Sequence, residues 1–250
     1  VEDRVAWITL DRPGKLNSFT AEMRGELIRA LDEIASDPSV RCLVLRGNGR
    51  AFSAGQDLGE REKVTRGEDI DLGAELEAGF NRIVRTIAGL SIPVLCGVHG
   101  VAAGAGANLA LACDIVVVTP AARFIQSFAR IGLVPDGGGT WTLPRLVGLA
   151  RARGLALLGD TIDGATAAQW GLVWRCVADD ELETELNRLS SELAGRSPSA
   201  VAATKAALRA SLSNTLDEQL DVERDAQSKA GRTPEYRDSV AAFLAARRAR

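Results

Sequence analysis

The sequence is poor in the residues from which metal sites and disulfide frameworks are built. It contains one histidine, His99, and 4 cysteines among 250 residues, and no two cysteines form a C-x-x-C pair. Because metal sites need several such ligands at short spacing, we expect no metal site and no bound cofactor. The cysteines sit in or beside apolar runs such as VRCLVL and PVLCGV, which is typical of buried, reduced thiols. For His99, at a predicted strand end, we favour a structural role.

The chain also lacks a large excess of charge of one sign and lacks long apolar runs. The formal net charge is −3, and neither half of the chain is strongly basic, so we expect no nucleic-acid partner. The basic segment ARRAR at 246–250 is short, and we interpret it as the solvated end of a helix. No apolar run approaches the roughly 20 residues of a membrane span. The opening segment VEDRVAWITLDRP has no signal-peptide core, so we expect a cytoplasmic protein without membrane contact.

Short apolar runs alternate with amphipathic stretches through the first part of the chain. Helices are predicted at 20–35 and at 104–113 from their periodicity. The predicted strands are VAWITL (5–10), RCLVLRG (41–47), PVLCGV (93–98), DIVVVT (114–119) and LVWRCV (172–177). Several of these runs are apolar throughout, as in strands that are covered on both faces. This alternation predicts the α/β fold class.

From about residue 179 onward every segment has a helical period, as in ELETELNRLSSELAG and SAVAATKAALRASL. We therefore divide the chain into an α/β core at 1–178 and a helical region at 179–250. The stretch GEREKVTRGEDIDL at 59–72 is dense in charge and poor in apolar residues. It is predicted to be a mobile surface loop, and a lid over a site is one interpretation of it.

Three glycine-rich turns interrupt the regular pattern, at 51–58, 99–114 and 131–141. In the second, Gly104, Ala105 and Gly106 open a helix whose first amide N–H groups have no partner within the helix. Such groups can hold an anion or a developing oxyanion. Close packing of the helix on a sheet is the alternative explanation of these small residues. A dinucleotide site is disfavoured, because no early βαβ unit with an acidic ribose ligand accompanies the glycines.

The third turn, IGLVPDGGGTW, contains one carboxylate, Asp136, in the otherwise uncharged stretch between Arg130 and Arg145. Aspartate is a good N-cap, so it could begin the helix that carries Trp141. Alternatively, an apolar, water-poor pocket would raise the pKa of the carboxyl group and make it a general acid and base. Pro144 argues against a long helix at this place. The residues alone leave both interpretations open.

Taken together, several segments resemble the crotonase family, the enoyl-CoA hydratase/isomerase superfamily, over essentially the whole chain. The segments are, in order, DRPGKLNSFT, AFSAGQDL, GVHGVAAGAGANLALACDI, ARFIQSFARIGLVPDGGGTWTLPRLVG and LLGDTIDGATAAQWGLV. The resemblance implies a crotonase-like spiral of ββα units with a C-terminal helical region for oligomerisation and pocket closure. It also implies a homotrimer or a dimer of trimers, and an acyl-CoA thioester as the ligand.

Carried over residue by residue, the resemblance places an oxyanion hole at the amides of Gln56 and Ala105. Ala105 stands where most relatives have glycine, but a backbone donor needs no particular side chain. The resemblance assigns five positions to coenzyme A, and Lys15 among them could meet a phosphate as a point charge. The five are Lys15, Leu16, Ala54, Asp57 and Leu58.

The two glutamates with which hydratases activate water fall here on Asn108 and Phe128, and neither can move a proton. Hydratase chemistry is therefore doubtful by resemblance. Asp136 matches the position of a catalytic aspartate in some isomerases of the family, where one carboxyl group takes and returns a proton. Asn108 lines the pocket or packs in the core. Phe128 forms an apolar pocket wall or belongs to the core.

Within the family the resemblance is strongest to the isomerases of phenylacetate catabolism. These convert the ring-1,2-epoxide of phenylacetyl-CoA into an oxepin thioester, and they shift double bonds in 3-enoyl-CoA to position 2. The resemblance therefore implies an acyl-CoA isomerase. A hydratase or another crotonase-type enzyme, and a non-catalytic CoA-ester-binding protein, are the alternatives. The acyl group, and trimer against hexamer, stay open.

Overall fold

The computed structural model describes residues 1–248, except for the side chains of 63, 64 and 248. In chain order the strands of this part are β1 Val5–Leu10, β2 Cys42–Gly47, β3 Val94–Val98, β4 Val101–Ala103, β5 Ile115–Val118, β6 Arg123–Ile125, β7 Thr161–Asp163 and β8 Arg175–Cys176. The five predicted strands are therefore confirmed, although the last is only two residues long. β4, β6 and β7 were not predicted.

The helices alternate with these strands as far as β8, and every later element of the described chain is helical. They are α1 Ala21–Ser36, α2 Glu62–Thr65, α3 Leu72–Leu76, α4 Arg82–Gly89, α5 Ala105–Leu111, α6 Gly139–Leu158, α7 Gly164–Gln169, α8 Leu182–Ala194, α9 Pro198–Ala210, α10 Leu216–Ala230 and α11 Pro234–Arg248. A π turn, Glu77–Asn81, joins α3 to α4. Both predicted helices are confirmed as α1 and α5. The last two residues of the ARRAR segment lie outside the described residues.

The main sheet is parallel throughout, in the order β1-β2-β3-β5-β8. Side chains along its central strands point alternately into two apolar cores. Leu43 and Leu45 of β2 pack in the core under α1 and α4, whereas Cys42 and Val44 pack against α8. This double coverage explains why these strands are apolar throughout.

Helix α8 approaches the sheet closely enough to require a glycine. A Cβ atom on Gly97 of β3 would lie 2.5 Å from Cδ1 of Leu186 in α8. The first helix of the predicted C-terminal region therefore covers one face of the sheet. A function of residues 179–250 in oligomerisation or pocket closure stays a prediction.

A second, three-stranded sheet in the order β4-β6-β7 leaves the main sheet at the carboxyl end of β3. The chain turns there at Gly100, with φ +56°, and a Cβ atom at this position would lie 2.1 Å from the carbonyl oxygen of Arg50. Ser53, downstream of β2, pairs with Ala102 of β4 in an isolated parallel bridge. The segments that follow β2 and β3 are thereby brought to one edge of the fold, where parallel α/β sheets commonly bind ligands.

The charged stretch at 59–72 is only partly a loop. Residues Leu58–Arg61 form a 3₁₀ turn that runs directly into α2. The Asp57 carboxylate begins this turn by accepting a hydrogen bond from the Gly59 amide at 2.8 Å. Mobility of the stretch and its action as a lid stay predictions.

Helix α6 passes through Pro144 and breaks later, at Gly148, where φ is 75° and ψ is 161°. The helical segment that contains Pro144 therefore ends after 147, and no uninterrupted long helix forms here, although the break comes at Gly148 and not at Pro144 itself. Among residues 1–248, every helix is too short or too polar to cross a lipid bilayer.

Candidate active site

Two of the three glycine-rich turns meet at the start of α5. Ser53 donates its amide to the carbonyl of Val101 at 3.0 Å, and its own carbonyl accepts from the amide of Ala103 at 2.9 Å. Gly55 has φ +87°, and a Cβ atom there would lie 2.6 Å from the Ala103 carbonyl oxygen and 3.3 Å from the Ala105 nitrogen. Because only glycine fits at this contact, the backbone before Gln56 lies directly against the first residue of α5.

The protein's own hydrogen bonds do not use the amide N–H groups of Gln56 and Ala105. In the described chain, neither donates a hydrogen bond to a protein group. Ala105 is the first residue of α5 and follows Gly104, with φ 52° and ψ −124°, so its amide points out of the helix. Gly106 packs tightly as well, since a Cβ atom would lie 2.6 Å from the Ser53 carbonyl oxygen. The close-packing explanation thus holds for Gly106, while the Ala105 amide stays available.

Asp136 does not cap α6, so the capping interpretation was wrong. The N-cap is Gly138, with φ 84°, and no side chain accepts a cap hydrogen bond there. Gly137 and Gly138 both adopt the left-handed region, which turns the chain before the helix begins. The Asp136 main-chain carbonyl accepts from the Gly139 amide at 2.9 Å, and its side chain is left free of the helix end.

The Asp136 carboxyl group is in a poorly solvated place. Its Oδ1 atom is buried and has no hydrogen-bond partner in the described part of the chain. Burial raises the pKa of Asp136 from 3.8 to about 6, and the nearby Arg61 guanidinium opposes part of that rise. Arg61 is held by Glu75, with Nη1 and Oε2 2.6 Å apart. A carboxyl group with this pKa can both accept and return a proton near neutral pH.

Asn108 and Phe128 flank the same place. Asn108 is buried in α5, one turn after Ala105, and its Nδ2 atom donates to the main-chain carbonyl of Asp136 at 2.7 Å. The Phe128 ring is also buried, and its Cζ atom would lie 3.6 Å from a Cβ atom on Gly104. The structure therefore brings Asp136, Asn108 and Phe128 to the start of α5. Contact of Asn108 or Phe128 with a substrate stays a prediction.

The five positions assigned to coenzyme A lie on two adjacent segments. The Ala54 amide donates to the Leu16 carbonyl at 2.8 Å, which joins 15–16 to 54–58. The Lys15 side chain is exposed, and Leu58 is 59% exposed. The carboxylate of Asp57 is already paired with Arg12, whose guanidinium holds the pKa of Asp57 below its ordinary value.

Comparison with known proteins shows the family to which the chain belongs. The family described as enoyl-CoA hydratase/isomerase matches the chain over residues 1–250. The chain belongs to the enoyl-CoA hydratase/isomerase family. It is therefore a crotonase-family enzyme, from a family that acts on acyl-CoA thioesters.

Two curated relatives and one solved structure illustrate the range of the family. The chain is 47% identical to 1,2-epoxyphenylacetyl-CoA isomerase from Escherichia coli K12, covering 99% of this chain and 94% of the relative. It is 31% identical to trans-2-decenoyl-[acyl-carrier-protein] isomerase from Streptococcus mutans, covering 99% and 94%. An enoyl-CoA hydratase structure from Polaromonas sp. JS666 superposes with TM-score 0.91 at 34% identity, covering 98% and 95%. The predicted family and fold class are confirmed.

Several residues of this crotonase site carried no recognisable sequence signal. Arg12 reaches Asp57 across 45 positions, and Gln126 donates to the Asn108 side chain across 18 positions. Arg24 donates to the side-chain oxygen of Gln56 and stacks 5.6 Å from the centre of the Phe80 ring. Such pairs depend on the folded path of the chain, and no local spacing reveals them.

Within residues 1–248, no three His, Cys, Asp or Glu side chains come together as a metal site would require. The His99 ring places Nε2 2.8 Å from the carbonyl oxygen of Gly49, which agrees with a structural role. All four cysteines are free, and Cys176 is the one that is only half-buried.

Proposed function

We propose that this crotonase is an acyl-CoA isomerase that works through a thioester enolate, with Asp136 as the proton shuttle. The observation that carries the proposal is the half-buried Asp136 carboxyl group beside the start of α5, whose buried Oδ1 atom has no partner among the described residues and whose pKa is raised to about 6. Asn108 and Phe128 cannot transfer a proton, so Asp136 is the acid–base group that the arrangement offers.

In the proposed reaction, the thioester oxygen accepts hydrogen bonds from the amides of Gln56 and Ala105. The ionised Asp136 carboxylate removes a proton from the carbon acid of the acyl group, and the electron pair moves onto the thioester oxygen. The two amides stabilise this enolate, and each such donor is typically worth about 2.7–4 kcal/mol of barrier. The neutral carboxyl group then returns the proton to a different carbon, so the product is an isomer and the enzyme is unchanged.

For the substrate, we propose the ring-1,2-epoxide of phenylacetyl-CoA, converted to the oxepin thioester in phenylacetate degradation, together with 3-enoyl-CoA esters. The 47% identity to the E. coli epoxyphenylacetyl-CoA isomerase supports this choice. The buried Phe128 ring beside Gly104 supports it as well, since it offers an apolar wall to an aromatic or alkenyl acyl group.

For coenzyme A, we propose the backbone of 15–16 and 54–58, with the exposed Lys15 ammonium against a phosphate. Asp57 contributes through its main chain, because Arg12 occupies its carboxylate. The proposed assembly is a homotrimer or a dimer of trimers. The helical region supports an assembly because it exposes large apolar side chains, including Leu216, Leu220 and Phe243. Light scattering coupled to size-exclusion chromatography measures the number of subunits, and a monomer would contradict this part.

The deciding experiment is proton exchange followed by NMR in D₂O. Wild-type protein and Asp136→Asn are each incubated with a 3-enoyl-CoA, then with a 2-enoyl-CoA, and then with the ring-epoxide thioester. We expect wild type to move the double bond to position 2 with gain of deuterium, and Asp136→Asn to lose this activity. Formation of a 3-hydroxyacyl-CoA would instead favour a hydratase. CoA-ester binding without any turnover would favour a non-catalytic binding protein.

A further inference from the structure

A chain of buried amide groups links α5 to the loop that carries Asp136. Asn108, which is 1% exposed, donates through Nδ2 to the main-chain carbonyl oxygen of Asp136 at 2.7 Å. Gln126, which is 3% exposed, donates through Nε2 to Oδ1 of Asn108 at 2.8 Å. Asn108 thus bonds to the main chain of the Asp136 loop, Gln126 orients the Asn108 side chain, and neither bond involves the Asp136 carboxyl group.

The main-chain carbonyl of Asp136 determines which atoms donate and which accept in this series of hydrogen bonds. A main-chain carbonyl can only accept, so Asn108 must turn Nδ2 toward Asp136 and Oδ1 toward Gln126. Gln126 must then present Nε2, and its Oε1 atom is left buried with no partner in the described part of the chain. A buried acceptor without a partner costs free energy. The fold therefore keeps this pair although it leaves one polar atom unpaired.

Glycine at the start of α6 makes room for the pair. A Cβ atom on Gly139 would lie 2.5 Å from Nδ2 of Asn108 and 2.8 Å from its Oδ1. Gly139 does not have the positive φ of its two predecessors, so its conformation alone does not require glycine. The space occupied by the Asn108 amide is the physical reason that fits.

We propose that Asn108 and Gln126 are positioning residues, which hold the half-buried Asp136 carboxyl group in place by fixing the main chain of its loop. The inference rests on the proposed isomerase function, because it assigns the Asp136 carboxyl group to the chemistry. Asn108 then acts through Asp136 instead of contacting the substrate. A misplacement of a catalytic group by about 1 Å can cost about 10²-fold in rate. Because the Asp136 carboxyl group acts in the chemical step, we expect its misplacement to lower kcat.

The kinetic test compares Asn108→Ala with Gln126→Leu. We expect Asn108→Ala to lower kcat by about 10- to 100-fold with little change in KM, and Gln126→Leu to lower it less. The double variant should be no slower than Asn108→Ala alone, because both changes break the same chain. Lys205→Met is the matched control. It removes the ion pair between Lys205 of α9 and Asp114, which lies outside the residues of the site, and it should lower stability without lowering kcat.

A direct measurement separates positioning from general destabilisation. The titration of the Asp136 carboxyl carbon is followed by ¹³C NMR in wild type, Asn108→Ala and Gln126→Leu. Loss of the pair should let the carboxyl group reach water, so its titration should move to lower pH in both variants. The Arg61 guanidinium and Asp136's own amide are the described groups that already favour the ionised form, and neither variant replaces them. Lys205→Met should titrate as wild type does.

Gly139→Ala provides an independent change that keeps both side chains. The added methyl group displaces the Asn108 amide, while alanine favours the helix. Gly139→Ala should lower kcat and shift the Asp136 titration to lower pH, as expected for Asn108→Ala. If Asn108→Ala does not fold, Gly139→Ala tests the positioning role in its place. Unchanged titration and kcat in these folded variants would overturn the inference. If wild type turns over no thioester, the proposed function fails, whereas the NMR titration still decides whether the pair positions Asp136.

Discussion

Lys205 on α9 is bound to Asp114 at the start of β5, with Nζ and Oδ2 2.7 Å apart. Its ammonium group also donates to the main-chain carbonyls of Ile87 and Ile92, and the Asp114 carboxylate accepts from the Val94 amide at 2.8 Å. One side chain thereby ties a helix of the C-terminal region to α4 and to the edge where β3 begins.

We expect Lys205→Met to destabilise the folded protein by about 1–3 kcal/mol, because it leaves partly buried acceptors without their donor. Urea unfolding followed by circular dichroism measures the change. Lys205→Arg is the conservative control and should lose less, since it keeps the charge. A variant as stable as wild type would mean that water replaces the ammonium group at no cost.

The Arg61 guanidinium is expected to set part of the pH dependence of the reaction. Burial raises the pKa of Asp136 to about 6 and Arg61 lowers it, so kcat/KM for the free enzyme should rise with pH through about 6. Arg61→Met should move this rise to higher pH, and Arg61→Lys should move it less. Arg61 is partly exposed, so the difference should shrink in high salt. An unmoved profile would show that Asp136 is not the group that titrates.

Gly55 is expected to tolerate no side chain. A methyl group would meet the Ala103 carbonyl oxygen at 2.6 Å, and φ of +87° is unfavourable for alanine. Gly55→Ala should therefore displace the Gln56 amide and lower kcat by about 10²-fold or more, which is the usual effect of losing one oxyanion donor. Gly154→Ala is the control, because nothing lies within 4 Å of a Cβ atom there. If both variants react like wild type, the Gln56 amide does not bind the thioester oxygen.

The Asp136 carboxyl group is expected to reduce stability at neutral pH. Because its pKa is raised from 3.8 to about 6, the folded chain binds this proton more tightly than the unfolded chain. Its contribution is therefore most favourable below about pH 4 and declines as the pH rises through about 6. Asp136→Asn should raise Tm at about pH 8, and the gain should diminish toward about pH 4. A gain that is independent of pH would exclude this explanation.

The helices and strands that could be predicted from the sequence are those long enough to show a hydrophobic period. Strand β1 has its predicted bounds, and α1 begins one residue after its cap, Thr20. Strands β4, β6 and β7 are three residues each, which is too short for any period to appear. They pair with one another across intervening helices and loops, β4 with β6 and β6 with β7, so no local pattern indicates them.

The site was predictable only in part for a similar reason. The glycine-rich turns indicated where the backbone comes close, and the family resemblance indicated which amides matter. The residues alone could not decide between capping and catalysis at Asp136, because that depended on two left-handed glycines that move the helix start to Gly139. The bonds from Gln126 to Asn108 and from Asn108 to Asp136 join segments that only the folded chain brings together.

The alternating side chains of β2 also determine how the molecule comes apart. Leu43 and Val44 are neighbours in sequence, yet they belong to different cores on opposite faces of the sheet. A shift of one residue in strand register would exchange the side chains on the two faces of the sheet. It would also move the space at Gly97 away from Leu186 of α8. Because β2 contributes side chains to both cores, we expect the α8 layer and the sheet that supports the glycine-rich turns to unfold together, in one cooperative transition.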